Sequence, residues 1–188
     1  MSAEQRNLGR GDAMSDRLER PGTGEVAPYY FTYIDKVAGD DVVGLLEAQL
    51  AEAAALGRSV DEEGSLHRYA PGKWSIRQVL NHVNDAERLF VSRAFWFARG
   101  FDAPLPSFDQ NVSVEAARAD ECPWAAHLEE FQSIRLATLS FVRNLPAGAS
   151  TRGGIASGLP FTVRALIYAV AGHFAHHLAI VHERYLAP

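Results

Sequence analysis

The sequence predicts an all-α protein, an antiparallel four-helix bundle, and three observations carry that reading. Apolar residues recur at helical spacing along four long segments, almost nothing alternates as a strand would, and capping residues stand at the segment ends. The chain has 188 residues, 47% hydrophobic and 22% charged, which suits one globular domain with a core of its own.

Residues 1–27 are rich in Gly, Arg, Glu and Ser without periodicity, and read as a disordered or draped N-terminal arm before a domain spanning 28–188. Tyr29, Tyr30, Phe31, Tyr33 and Ile34 form a dense aromatic cluster expected to pack on the bundle, with membrane contact as the alternative. Asp40 or Asp41 caps a first long helix reaching about Leu56, with Val42, Leu45, Leu46 and Leu50 inward and Gly57 as its stop. Ser75 and Gln78 make a capping box that starts the second, which runs to about Arg99 and is closed by Gly100. A loop with Pro104 and Pro106 follows, with a short helix at Val112 to Arg118. Pro123, in the first turn, opens a third long helix that ends at Asn144 before Pro146. Its inward residues are Leu128, Phe131, Ile134, Leu136, Leu139 and Phe141. The Gly-rich stretch from Arg152 to Phe161 lacks the GxxxxGK pattern of a phosphate loop and reads as a flexible connection. Thr162 caps the fourth long helix, which runs to about Tyr185. There is no internal repeat.

A formal charge of −5, with Lys and Arg dispersed among carboxylates, argues against nucleic acid as a partner. The single cysteine excludes an intrachain disulfide framework and fits a reducing cytoplasm. The longest apolar run is shorter than a membrane span, and the N-terminus lacks the hydrophobic core of a signal peptide. A cytoplasmic location without a membrane partner is therefore expected.

The most informative residues are the histidines of Gly172-His173-Phe174-Ala175-His176-His177. Four residues bring two imidazoles above one another on a helix, so His173 and His177 are a candidate chelating pair. With His173 at zero, His177 falls at roughly 40°, between Leu166 at about 20° and Val170 at about 60°, on the apolar stripe. His176, at about 300°, and His182, at about 180°, fall outside it and read as surface histidines. Two stacked imidazoles are either core residues, each with a separate buried partner, or ligands of one cation. A third ligand must come from another helix, and His82, at the inward edge of the second helix's apolar stripe, is the best candidate. His67 and His127 read as solvated or capping, and Cys122, before Pro123, as helix-capping.

Trp74-Ser75-Ile76-Arg77-Gln78-Val79-Leu80-Asn81-His82, the loop Phe108-Asp109-Gln110, Val163-Arg164-Ala165-Leu166 and the closing Gly172-to-His177 segment resemble the DinB/YfiT-like superfamily of bacterial four-helix bundles, from about Tyr29 onward. The resemblance implies an up-down-down-up helix order and a divalent metal, commonly nickel or zinc, on one histidine of the second helix and an HxxxH pair of the last. Carried over, the ligands are His82, His173 and His177. It also implies a metal-dependent transferase or hydrolase acting on small molecules, and relatives include S-transferases that use a low-molecular-weight thiol. Asp109 is then the candidate catalytic carboxylate, a helix-capping role being the alternative. A homodimer is expected, from family habit together with Tyr29 to Ile34 and an outward Phe95.

Three neutral imidazoles leave open positions on a divalent ion, as catalytic sites do. The pattern argues against a zinc peptidase of the HExxH type, because Phe174 stands where the general-base glutamate would be. The expected function is thiol transfer by a metal-activated thiolate, and the rival is a non-catalytic metal-binding or stress-response module. Asp85 reads as solvated, with a role behind the ligands as the alternative. Trp74, Trp96 and Tyr168 read as core with a pocket mouth as the alternative, and Arg164 meets either a substrate anion or a surface carboxylate.

Overall fold

The structure, a computed structural model, describes residues 18–187. A 3₁₀ turn at Pro28–Tyr30 leads into the short helix α1 (Phe31–Ile34). The four long helices are α2 (Val42–Ser59), α3 (Ile76–Ala98), α5 (Trp124–Arg143) and α6 (Val163–Ile180), the last extended by a π-helical turn at Val181–Tyr185. Between α3 and α5 lies the short α4 (Gln110–Ala117), and between α5 and α6 a hairpin of β1 (Gly153–Ala156) and β2 (Leu159–Thr162).

Most ends follow the capping chemistry. Asp41 Oδ1 accepts from Gly44 N at 2.9 Å, Ser75 and Gln78 form the reciprocal capping box, and Thr162 Oγ1 accepts from Ala165 N at 3.2 Å. Pro123 is the N-cap of α5 rather than part of its first turn, and the free Trp124 N–H is satisfied by Glu62 Oε2 from a distant loop at 2.9 Å. Gly57 does not stop α2. The helix runs two residues further, and a Cβ at Gly57 would lie 2.6 Å from Leu128 Cδ1, so the missing side chain lets α5 approach.

The long helices close a ring in which α2 packs on α5, α5 on α3, α3 on α6, and α6 on α2. Helices α2 and α3 thus stand diagonally opposed, as do α5 and α6, while α3 and α5 are neighbours. Helix α6 is long and apolar enough by composition to cross a membrane, but residues 163–174 are buried against the other helices without a break except Arg164.

A charged network fastens the ring at its centre. Arg135 of α5 donates to Glu87 of α3 through Nε at 2.9 Å and Nη2 at 2.8 Å, and through Nη1 to Leu46 O and Gln49 Oε1 of α2. Gln49 Nε2 donates in turn to Ala171 O of α6 at 2.8 Å, so all four long helices are joined. This network sets the face of α5: Phe131, Arg135, Thr138, Leu139 and Val142 are buried while Leu136 is 50% exposed, against the inward position expected for it.

The Gly-rich stretch is an ordered hairpin, not a flexible connection. Ser157 (φ 54°) and Gly158 (φ 75°) make its left-handed turn, and Leu105 pairs with it through hydrogen bonds to Ile155 O and from Ser157 N. Residues 18–27 run along the bundle, while 1–17 lie outside the described residues. Leu18 and Val26 are buried, and Glu25 accepts from Thr162 Oγ1 at 2.8 Å and Arg164 Nε at 2.7 Å. Helix α1 lies on α6 at Gly172, where a Cβ would stand 2.0 Å from Tyr33 O.

Candidate metal centre and its cleft

The capping box at Ser75 sets the register that turns His82 inward, and Thr162 does the same for His173 and His177. His82 Nε2 lies 3.1 Å from His173 Nε2, and His177 Nε2 lies 3.1 Å from the same atom. His82 and His173 are each 4% exposed and His177 is half-buried. Burial drives all three toward the neutral form. It draws His82 down to about 4 and His177 to about 3, the latter helped by His82 and His176, and lowers His173 well below its ordinary value.

These residues fit a divalent ion. Two nitrogens each about 2.1 Å from one ion stand roughly 3 to 3.5 Å apart, and the three donors are neutral imidazoles presenting the same ring atom. Without a shared cation, His173 Nε2 faces two other ring nitrogens at once, and one proton cannot serve both contacts. The three are the only such group of potential ligands among the described residues, and none of those residues joins them as a fourth ligand.

A family profile described as the DinB superfamily matches residues 45–181. The chain belongs to the DinB superfamily. Among curated proteins none matches it. Among solved structures it is similar to YfiT from Bacillus subtilis, described as a probable metal-dependent hydrolase with an unusual four-helix bundle topology. The TM-score is 0.69 and the identity 18%, over 88% of this chain and 91% of that one.

In this DinB-superfamily chain His82 and His173 line a cleft of about 160 Å³, whereas His177 borders a small apolar recess with Val79, Val83 and Phe174. One wall is the stripe His82, Ala86, Leu89 and Arg93 of α3, and the opposite wall is Tyr29, Tyr30 and Tyr33. Phe108, Gln110 and the hairpin's Ser157 lie at its other end. Tyr33 stands edge-on to His173 at 5.1 Å and shares a 3.0 Å hydrogen bond with the Tyr29 hydroxyl. Burial raises the Tyr33 phenol, so it keeps its proton at neutral pH. The aromatic segment thus packs on the bundle, as expected, but its tyrosines also line the cleft.

Other sequence candidates are placed elsewhere. Asp109 is exposed and caps α4, with Oδ1 accepting from Asn111 N at 2.9 Å and Val112 N at 3.3 Å; its neighbours Phe108 and Gln110 line the cleft and it does not. Asp85 accepts from Ser113 Oγ at 2.8 Å and is not behind a histidine; His82 Nδ1 has no partner among the described residues. His176 is half-covered by Tyr33 at 5.4 Å rather than on the open surface, while His182 and His67 are exposed. His127 is neither solvated nor a cap: it is buried, with Nε2 2.9 Å from Ala119 O. Tyr168 is core, Trp96 stacks on Phe101, and half-buried Trp74 lies 5.0 Å from the His82 ring. Arg164 pairs with Glu25, and the Cys122 thiol is exposed. Tyr33, Arg93 and Ser157 went unremarked as site residues, because only the folded chain brings α1, α3 and the hairpin to one cleft.

Proposed function

We propose that the chain is a divalent-metal-dependent enzyme acting on small molecules, of the thiol S-transferase type. The observation that carries the reading is the convergence of three neutral Nε2 atoms, two of them on residues that line an open cleft, with no fourth ligand among the described residues. His82, His173 and His177 would hold nickel or zinc; when bound, the ion lowers the pKa of a coordinated thiol or water and supplies a nucleophile at neutral pH.

The remaining work falls to the cleft walls. The Tyr29 and Tyr33 hydroxyls offer hydrogen bonds next to His173, and Tyr33 retains a proton to donate. Phe90, edge-on to His173 at 5.9 Å, and Trp74, 5.0 Å from the His82 ring, set apolar surface beside the imidazoles. Among the described residues, no carboxylate lines the cleft. A water nucleophile is commonly served by a general base, whereas a thiol needs none once ionised, and this favours thiol transfer over hydrolysis.

The test is elemental analysis of protein purified without a polyhistidine tag, followed by thiol consumption with a model electrophile. The enzyme reading expects one ion per chain and thiol loss in the metal-loaded form alone. Stoichiometric metal without turnover across thiols and hydrolysable esters would identify a non-catalytic metal-binding module instead.

A further inference from the structure

Among the described residues three arginines are buried, Arg77, Arg93 and Arg135, and they are not alike. Arg77 meets Glu62 at 2.6 Å and Arg135 meets Glu87 at 2.8 Å. Arg93, 3% exposed, has no carboxylate within ion-pair distance among the described residues. Its Nη2 donates to Pro106 O at 2.9 Å and to Ser157 Oγ at 2.8 Å, and its Nε and Nη1 donate to no described group. Burying a guanidinium without a counter-charge is costly, and an arginine stays protonated at neutral pH. Tyr30 does not serve as counter-ion, since burial raises its phenol.

The surroundings hold this charge in place. Ser157 takes a left-handed conformation (φ 54°) that non-glycine residues seldom adopt, and from it reaches the guanidinium. Arg93 lies on the same stripe of α3 as His82, eleven residues and therefore close to three whole turns away, and both line the cleft. The Cα rise between them is about 16 Å, and a long side chain on a helix leans back toward the N-terminus, so the gap left for a ligand is on the order of 10 Å.

We propose that Arg93 is an anion-binding residue of this cleft, and that the substrate is an elongated small molecule whose far end carries a carboxylate or phosphate. The inference rests on the metal-site reading only for where the reacting end lies. Nη2 is fixed by Pro106 and Ser157, which leaves Nε and Nη1 to donate to the oxyanion.

Calorimetric titration of the full chain with phenylhexanoate, its neutral amide and phenylhexyl phosphate tests this, in zinc-loaded and metal-free protein. One charge-assisted contact predicts that an anionic probe binds roughly tenfold to a hundredfold more tightly than the amide. Arg93→Gln should erase that preference while stoichiometric zinc is retained, and Arg93→Lys should restore part of it. The carboxylate and phosphate arms decide which oxyanion the site takes. In the native protein, an arginine Nε–H resonance should shift with the anion and not with the amide, a readout that survives if Arg93→Gln fails to fold. Absence of any anion preference, or its persistence in folded Arg93→Gln, would overturn the proposal; so would a preference confined to zinc-loaded protein, which places the anion on the metal. Failure to bind zinc together with an Arg93-dependent preference would remove the metal reading and leave this one standing.

Discussion

His176 stands beside a candidate ligand and takes no part in the cluster, because one helical step rotates a side chain by about 100°. The expected consequence is a sharp contrast in metal content. His177→Ala should lose stoichiometric metal, since even partners behind the ligands are worth about 10- to 100-fold in affinity, whereas His176→Ala should keep it. Elemental analysis of the two variants decides this, and equal retention would refute the three-histidine arrangement. The histidines were legible in the sequence because their arrangement is local: a spacing of four on α6 and a capping box that fixes the register of α3. Arg93 was not, because what singles it out is the absence of a carboxylate and a hydroxyl 64 residues away. Asp109 stayed open between two readings for a related reason. A loop aspartate before a helix has the same sequence appearance whether it faces a substrate or the helix's own N–H groups, and here it faces the latter.

The four long helices could be read from periodicity and caps, but the hairpin could not. Each strand has four residues, too few for alternation to register, and pairing depends on Leu105 from another part of the chain. The segment from Leu18 to Ala27 likewise shows no periodicity, since it is fastened by single contacts, chiefly those of Glu25 with Thr162 and Arg164. Hydrogen bonding to Arg164 holds Glu25 at about 2, below the ordinary carboxylate value of 4.5. Its contribution to stability is therefore full above about pH 4.5 and is lost as pH falls toward 2. Urea unfolding should find Glu25→Gln less stable than the parent at pH 7, with the difference shrinking below pH 4.5. A difference independent of pH would show that the ion pair adds nothing.

Across the whole molecule the Arg135–Glu87 pair is the common point of the ring, and its removal is asymmetric. Arg135→Met leaves Glu87 buried with no counter-charge and should cost about 3–5 kcal/mol in urea unfolding, while Arg135→Met combined with Glu87→Leu should recover much of the loss. Equal destabilisation of the single and double variants would contradict this account. The up-down-down-up helix order was implied by family resemblance, whereas the network was invisible, an arginine inside an apolar stripe looking like a break in it. Phe95, 45% exposed, and Leu136 leave apolar surface on α3 and α5, and the chain is expected to sediment as a homodimer. A monomer at high concentration would contradict that expectation.

The contact at Gly172 bears on which molecules can enter. Helix α1 is a single turn, and its seat on α6 is one backbone laid on another where no side chain intervenes, one residue before His173. The separation of the phenols from the imidazoles is thus gauged by a missing methyl group, and with it the bulk of substrate the mouth admits. Gly172→Ala would have to lift Tyr33 and its neighbours outward, at about 1–3 kcal/mol, and should shift preference toward wider acceptors while leaving the three nitrogens their metal.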